Sequence, residues 1–214
     1  MAVDFYHGQG SPYSWRVWLA LEAKQIPYNL KVLSFANQDT RKPEFVALNP
    51  RHTVPTIVDD GHAVWESMAV LEYLDERFTS GVKLYPGDAR ERARVRRLIK
   101  ELEGYVEHDG IDPILDELLT EGKTPDMERV AKARERLREE GLYFAKEIHG
   151  KFVCGDAPCA ADCVLYPMLG YIWRVNQRKP ESGLADVLPA PLLEYKKRFE
   201  ALPYFDKTYP PHWR

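Results

Sequence analysis

Three short stretches carry residues whose types and spacing could do chemistry together. In G-S-P-Y-S-W-R-V, residues 10–17, Ser11 stands where a strand pattern gives way to a helical one. A helix N-terminus offers unpaired N–H groups and a positive dipole end, which favour an anion or a forming thiolate. Ser11 is equally suited to be a plain N-cap ahead of Pro12 in the first turn. In N-P-R-H-T-V-P-T-I, residues 49–57, Pro55 stands directly before a strand, where a ladder tolerates proline only in a special conformation. A cis Val54–Pro55 bond would free the Val54 N–H and C=O for an extended peptide; a trans proline at a sheet edge is the alternative. In D-D-G-H-A-V-W-E-S-M-A-V-L, residues 59–71, Glu66 and Ser67 fall where a strand passes into a helix. Ser67 can cap that helix, the N–H groups behind it can hold a carboxylate, and Glu66 can pair with an ammonium group. Jointly the three stretches suit a small peptide with a thiol, a main-chain amide and an amino-acid head group.

The elements that must position these residues follow from periodicity. Val3 to Tyr6 reads as a strand, and from Pro12 the residues Trp15, Trp18, Leu19 and Glu22 recur at helical spacing until Pro27. Tyr28 to Leu33 is a second strand, and residues 41–48 hold a short helix with Phe45, Val46 and Leu48 inward. Pro55–Val58 and Ala63–Trp65, split by Asp60-Gly61, form a hairpin. A helix from Ser67 to about Phe78 buries Met68, Leu71 and Leu74. The order β-α-β-α-β-β-α demands one parallel pair through a crossover and one antiparallel hairpin.

Beyond the small and polar stretch Thr79–Gly87 the strand signals vanish. One long charged helix is expected over 88–119, with Val95, Leu98, Leu102, Tyr105 and Val106 on one side and Gly110 and Pro113 breaking it. A second runs from Asp126 to His149, with Val130, Ala133, Leu137, Phe144 and Ile148 on one face. Cys163–Trp173 is apolar almost all round and reads as a central buried helix. Shorter helices are expected at Gly183–Val187 and Pro191–Leu202. The division is therefore an α/β domain over 1–80, a linker over 81–87 and an all-helical domain over 88–214.

Composition narrows the function classes. The chain has 214 residues, 44% of them hydrophobic and 12% aromatic, which suffices for a sizeable core. Residues 1–80 hold 7 basic and 10 acidic side chains, so the whole net charge of −3 sits there, and neither part forms a basic nucleic-acid surface. No apolar run approaches the ~20 residues of a membrane span. The first residues lack the basic-then-apolar order of a signal peptide, so the expected location is cytoplasmic. Cys154, Cys159 and Cys163 match no standard zinc spacing, and no metal site is expected. Cys159 at a helix start is open to a lowered pKa and a redox role, with structural burial the alternative. A G-x-S-x-G element is absent, so Ser-His-Asp hydrolysis has no support.

On these residues the chain resembles the cytosolic glutathione transferases over essentially its whole length. S-P-Y-S-x-R-V at 11–17, N-P-x-x-x-V-P at 49–55, E-S-x-A-V-L-E-Y-L at 66–74 and A-A-D at 160–162 stand in that family's order. The S-P-aromatic-S form resembles the serine-type branches (zeta, tau or theta-like, bacterial in style), and differs from the Ser-Ser-Cys of the maleylacetoacetate isomerases. The resemblance implies a thioredoxin-like first domain, an all-helical second domain, a cis Pro55 and a homodimer. It implies that Ser11 activates the thiol of glutathione as cosubstrate, without a metal, for attack on a small hydrophobic electrophile. Isomerase or peroxidase chemistry, and a non-catalytic binding or scaffold role, are the other expectations. By the same resemblance Gln38, Thr53, Val54, Glu66 and Ser67 would contact glutathione, while Tyr13, Tyr105, His108 and Trp213 would line the electrophile pocket. Tyr6 and Tyr13 compete with Ser11 as the thiol-activating group, since other branches use a Tyr near the end of the first strand. Packing in the core is the alternative for the Tyr6 ring. One departure stands out: the family places Ser or Thr three residues before Asp162, and here that residue is Cys159.

Overall fold

The computed structural model describes residues 2–184 and 186–210. They form two units, one from residues up to 86 together with 203–210, the other from 87–202. In the first unit, β1 (Val3–Gly8), α1 (Pro12–Ala23), β2 (Tyr28–Leu33), α2 (Pro43–Val46), β3 (Thr56–Asp59), β4 (His62–Trp65) and α3 (Ser67–Arg77) follow in order. The sheet order is β2-β1-β3-β4. β1 pairs parallel with β2, from Val3↔Tyr28 to Gly8↔Leu33, and antiparallel with β3. Asp60 and Gly61 both have positive φ and join β3 to β4 with Asp59 opposite His62, as the Asp-Gly pair requires.

Apolar residues of β1, β3, α1 and α3 make this unit's core: Val3, Phe5, Val17, Leu19, Ile57, Val70, Leu71 and Leu74 are fully buried. On α3 the fully buried position is Val70 rather than the expected Met68, which is half-buried. The short helix before the hairpin is reduced to one 3₁₀ turn, Asp39–Arg41, and α2; only Phe45 of its three expected apolar residues is buried. α9 (Phe205–Thr208) belongs to this unit: the Trp15 indole N–H donates to Thr208 Oγ1 at 3.2 Å, and Trp15 meets Phe205 and Tyr209 with ring centres 6.3 and 5.6 Å away.

The second unit contains α4 (Ala89–Glu101), α5 (Asp112–Leu119), α6 (Met127–Lys146), α7 (Ala160–Arg178) and α8 (Ala190–Glu200). The long helix expected over 88–119 is not uniform: residues Leu102–Ile111 widen into a π-helix between α4 and α5. That insertion shifts the register, so Val106 stays buried while Tyr105 turns 46% of its surface to solvent. Gly110 is needed here, since a Cβ would lie 2.4 Å from Leu137 Cδ2 on α6. A 3₁₀ turn at Pro180–Ser182 replaces the helix expected at Gly183–Val187, where the described residues are not helical. α7 is buried continuously from Ala160 to Gly170, but Trp173 is 36% exposed. Its start is held by Asp162, which has no exposure and accepts the Cys159 N–H, the Val153 N–H and the Tyr195 hydroxyl. Burial raises the Asp162 carboxyl despite these donors. Among the described residues no helix is long and apolar enough to cross a membrane.

A buried ion pair anchors the segment that follows α3. Lys24 Nζ, fully buried, lies 3.0 Å from Asp75 Oδ1 and donates to the Val82 carbonyl at 3.2 Å. Asp75 also accepts the N–H groups of Leu84 and Tyr85. Burial alone would raise the Asp75 carboxyl, but Leu84, Lys24 and Tyr85 together hold it below the usual carboxylate range. Asp75→Asn leaves the Lys24 charge in a dry site and should cost about 3–5 kcal/mol in urea unfolding. Because the folded pKa lies below the unfolded ~3.9, the stabilisation is complete above that value and is lost as pH falls through the folded pKa. The variant's acid limb should flatten accordingly; unchanged stability with an unchanged acid limb would contradict this role.

Candidate functional site

Ser11 is the N-cap of α1, and its Oγ accepts the Ser14 N–H at 3.2 Å. Using a lone pair for the cap leaves the O–H proton available to donate outward. Capping and chemistry, alternatives in the sequence, are therefore compatible in one hydroxyl. Gly10 at φ +80° makes the turn that brings the chain from β1 into this cap.

The segment before β3 reaches the same region. The Val54–Pro55 bond is cis. The β3 ladder begins at Thr56, opposite Tyr6 and Trp65, so Val54 lies beyond the paired register. Gly8 ends β1 beside it: a Cβ there would fall 2.7 Å from Val54 Cγ2 and 2.6 Å from the Phe35 ring. Asn49, fully buried, shapes the turn from within. Its amide donates to the Thr53 carbonyl at 2.9 Å, with Thr53 Oγ1 at 3.2 Å and Thr56 Oγ1 at 3.0 Å, while its Oδ1 accepts the Arg51 N–H. His52 Nδ1 lies 3.1 Å from the Thr40 carbonyl and ties this turn to the segment carrying Gln38.

At the third stretch Glu66, not Ser67, is the N-cap of α3, and it holds φ 65°. A left-handed glutamate stores strain of about 1–3 kcal/mol and leaves its carboxylate exposed at the helix start. Ser67 is buried and 3.5 Å from Arg16 Nη1, which donates to its hydroxyl. Arg16 itself has no exposure, and its Cζ lies 4.6 Å from the centre of the Tyr13 ring.

A cleft of about 290 Å³ unites these parts, lined by Tyr13, Thr53, Val54, Pro55, Glu66 and Ser67. The structure thus brings together four of the five expected ligand contacts with Tyr13. Ser11 sits two residues from Tyr13 at the start of α1, and neither it nor exposed Gln38 is among the lining residues. Tyr6 is in a different hollow with Leu33, Asp39, Lys42, Glu44, Phe45 and Leu48, its ring edge-on to Phe45 and its hydroxyl pKa raised by burial and by Asp4. Tyr105 and His108 lie on the π-helical segment of the second unit. Tyr105 packs under Arg136 at 5.0 Å, and His108 lines a hollow with Asp109, Arg129, Lys132 and Arg136. Trp213 falls outside the described residues. Asn49, Arg16 and His52 were not singled out from sequence. Asn49 and His52 lie inside the N-P-R-H-T-V-P run and Arg16 inside S-W-R-V, so their positions were visible but their burial was not.

Comparison with known proteins bears on what this arrangement is for. Residues 10–77 match a family model described as the N-terminal domain of glutathione S-transferase. Glutathione S-transferase A of Pleuronectes platessa is 29% identical over 215 residues, covering 96% of this chain and 90% of that protein. Glutathione S-transferase D7 of Drosophila melanogaster is 29% identical over 164 residues, 76% of this chain and 71% of that one. A glutathione S-transferase from the Antarctic clam Laternula elliptica superposes with a TM-score of 0.81 at 28% identity, over 100% of this chain and 94% of that chain. Glutathione transferase Omega 3C from Trametes versicolor matches in fold, with a TM-score of 0.80 at 23% identity over 98% and 90%. The first unit is accordingly a thioredoxin-like α/β fold and the second an all-helical one.

The Asn49 network generates a test of how the cleft is held. Asn49→Ala strands Thr53 and Thr56 acceptors without their buried donor and should destabilise the protein by about 2–4 kcal/mol in urea. Asn49→Asp, nearly isosteric, turns a carboxylate oxygen toward three oxygens and should cost at least as much. Equal stability of parent and Asp variant would show that the amide is not the organising donor.

Proposed function

We propose that this chain is a glutathione S-transferase, which binds glutathione in the cleft of the first unit and ionises its thiol there for attack on small hydrophobic electrophiles. The observation that carries this reading is the Ser11 hydroxyl, held by its own cap bond at a helix N-terminus with its proton still available. Around it, each chemical group of glutathione has a counterpart. The γ-glutamyl carboxylate fits the N–H groups that open α3 and the Ser67 hydroxyl, with the Arg16 guanidinium behind it. Glu66, projected by its left-handed backbone, suits the α-ammonium group. The Val54 backbone, outside the sheet register, suits the central amide, and Gln38 the glycine carboxylate.

The energetic demand is modest. A free thiol has a pKa near 8.5, and lowering it by ~2 units takes ~2.7 kcal/mol of preference for the thiolate. A hydrogen bond to a charged sulfur supplies about 1.5–3 kcal/mol, and a helix N-terminus about 0.3–1 more. Ser11 donates to the sulfur and attacks nothing itself; the thiol proton leaves to water. The thiolate then forms the S–C bond to the electrophilic carbon. In substitution the leaving group departs with the bonding pair, and in addition the π pair shifts onto the activating group and is protonated from water. The family likeness supports a cytoplasmic homodimer of this enzyme, within the serine-type branches.

Ser11→Ala should lower kcat/KM for a chromogenic conjugation at neutral pH by about 10- to 100-fold and raise the bound-thiol pKa by about 2 units. Ser11→Thr keeps both cap and hydroxyl and should retain most of the activity, which separates loss of chemistry from loss of the helix cap. Full conjugating activity and an unshifted thiol pKa in Ser11→Ala would overturn the assignment. Glutathione binding without turnover of electrophiles, peroxides or isomerisable substrates by the parent would make the cleft a binding site alone.

A further inference from the structure

The second unit holds a pair of thiols for which the cleft chemistry has no use. Cys154 stands in the turn between Phe152 and Gly155, whose N–H groups and carbonyls bond to each other across it at 2.8 and 3.3 Å. Cys159 is the N-cap of α7, and its sulfur takes the place of the usual hydroxyl in a capping box with Asp162. The Cys159 thiol donates to Cys154 Sγ at a sulfur–sulfur distance of 2.9 Å. Both are free thiols, Cys154 half-buried and Cys159 only 1% exposed.

We propose that Cys154 and Cys159 form a reversible redox pair, closed to an intramolecular disulfide by hydroperoxides and reopened by external thiols. Three observations divide the labour between them. An approach of about 0.9 Å from the 2.9 Å contact would bring the sulfurs to the ~2.05 Å of a bond. Cys154 is the one with solvent access, so it meets the oxidant. Hydrogen bonding from Cys159 lowers its pKa, burial and the charges of Asp162 and Glu91 act against this, and the Arg94 guanidinium, which donates to the neighbouring Val153 carbonyl, favours the thiolate. Cys159 is buried beside Asp162, which keeps it a protonated thiol until its partner is oxidised.

The reaction balances with the hydroperoxide as the only oxidant. The Cys154 thiolate attacks the terminal peroxide oxygen; the O–O bond breaks, and the alcohol or water departs after taking up a proton. Cys154 is then a sulfenic acid, having lost two electrons. The Cys159 sulfur attacks the Cys154 sulfur, the S–S bond forms and the S–O bond breaks. The hydroxide leaves as water with the Cys159 proton. Two external thiols reverse the step by exchange, ending as their own disulfide. The cross-link draws the Cys159 sulfur toward the 152–155 turn and so fixes the turn to the N-cap of α7. Cys163, fully buried one turn further along α7 with its pKa raised by burial, is outside the pair.

The test uses the full-length reduced protein, hydrogen peroxide at near-stoichiometric concentration, thiol blocking and peptide mass spectrometry. A Cys154–Cys159 cross-linked peptide with Cys163 still free, restored to three blockable thiols by dithiothreitol, is the expected result. Cys159→Ser supplies a better helix cap and should fold, as circular dichroism would confirm, while its Cys154 stops at the sulfenic acid and is trapped by dimedone. Dimedone labelling of the parent should be at least about 10-fold lower, because Cys159 resolves the acid. Recovery of both thiols unoxidised, a cross-link that includes Cys163, or equal dimedone labelling of parent and Cys159→Ser would each overturn the proposal.

Discussion

Arg16 has no solvent exposure, its Nη1 lies 3.5 Å from the Ser67 hydroxyl, and its Cζ lies 4.6 Å from the Tyr13 ring centre. A guanidinium cannot shed its charge at any accessible pH, so burying it commits the structure around it to supplying partners. Here those partners sit on the first turns of α1 and α3. The same side chain therefore sets the spacing of the two helix starts and places a positive charge behind the N–H groups of α3. Both helices derive their entry from turns that few sequences accept: Gly10 at φ +80° before α1, and Glu66 at φ 65° before α3. The strained glutamate is the more telling of the two, because glycine would relieve the strain and remove the carboxylate.

The electrostatics of the first unit follow from this placement. Residues 1–80 carry the chain's entire net charge of −3, so bulk attraction works against an anionic peptide. The proposed ligand would then be held locally, through backbone N–H groups and the buried Arg16, where a short distance outweighs a distant net charge. Asn49 acts on the opposite wall in the same way. It spends its amide on Thr53 and Thr56 and so fixes the turn that holds Val54 at the cleft. That wall of the cleft is thus organised by a buried amide whose donors and acceptor are all used.

Much of this was legible in sequence, for identifiable reasons. Alternation in Val3–Tyr6 and Tyr28–Leu33, the Asp60-Gly61 turn and the proline at 12 are local signals, and the elements they mark stand where expected. The site was legible as three segments because caps and pre-strand prolines are also local. What failed was set by tertiary contact. The π-helix at Leu102–Ile111 inserts one extra residue per turn, which an apolar pattern of period 3.6 does not register until the widened segment rotates Tyr105 out. Burial of Arg16 and Asn49 depends on neighbours from other elements. The Cys159 thiol was open to a lowered pKa on its helix-start position, yet burial beside Asp162 raises it. The lowered thiol is Cys154, whose proximity arises from the fold of the 152–155 turn.

Whether the cleft ionises a thiol is settled most directly by counting protons on binding. Isothermal titration of glutathione at about pH 7.5, repeated in buffers of different ionisation enthalpy, separates proton release from intrinsic heat. A thiol pKa lowered by ~2 units on binding predicts release of about 0.8 proton per site. S-methylglutathione, which has no thiol proton, should bind with none released. Tight binding of both ligands with the same proton count would contradict thiolate formation in this cleft.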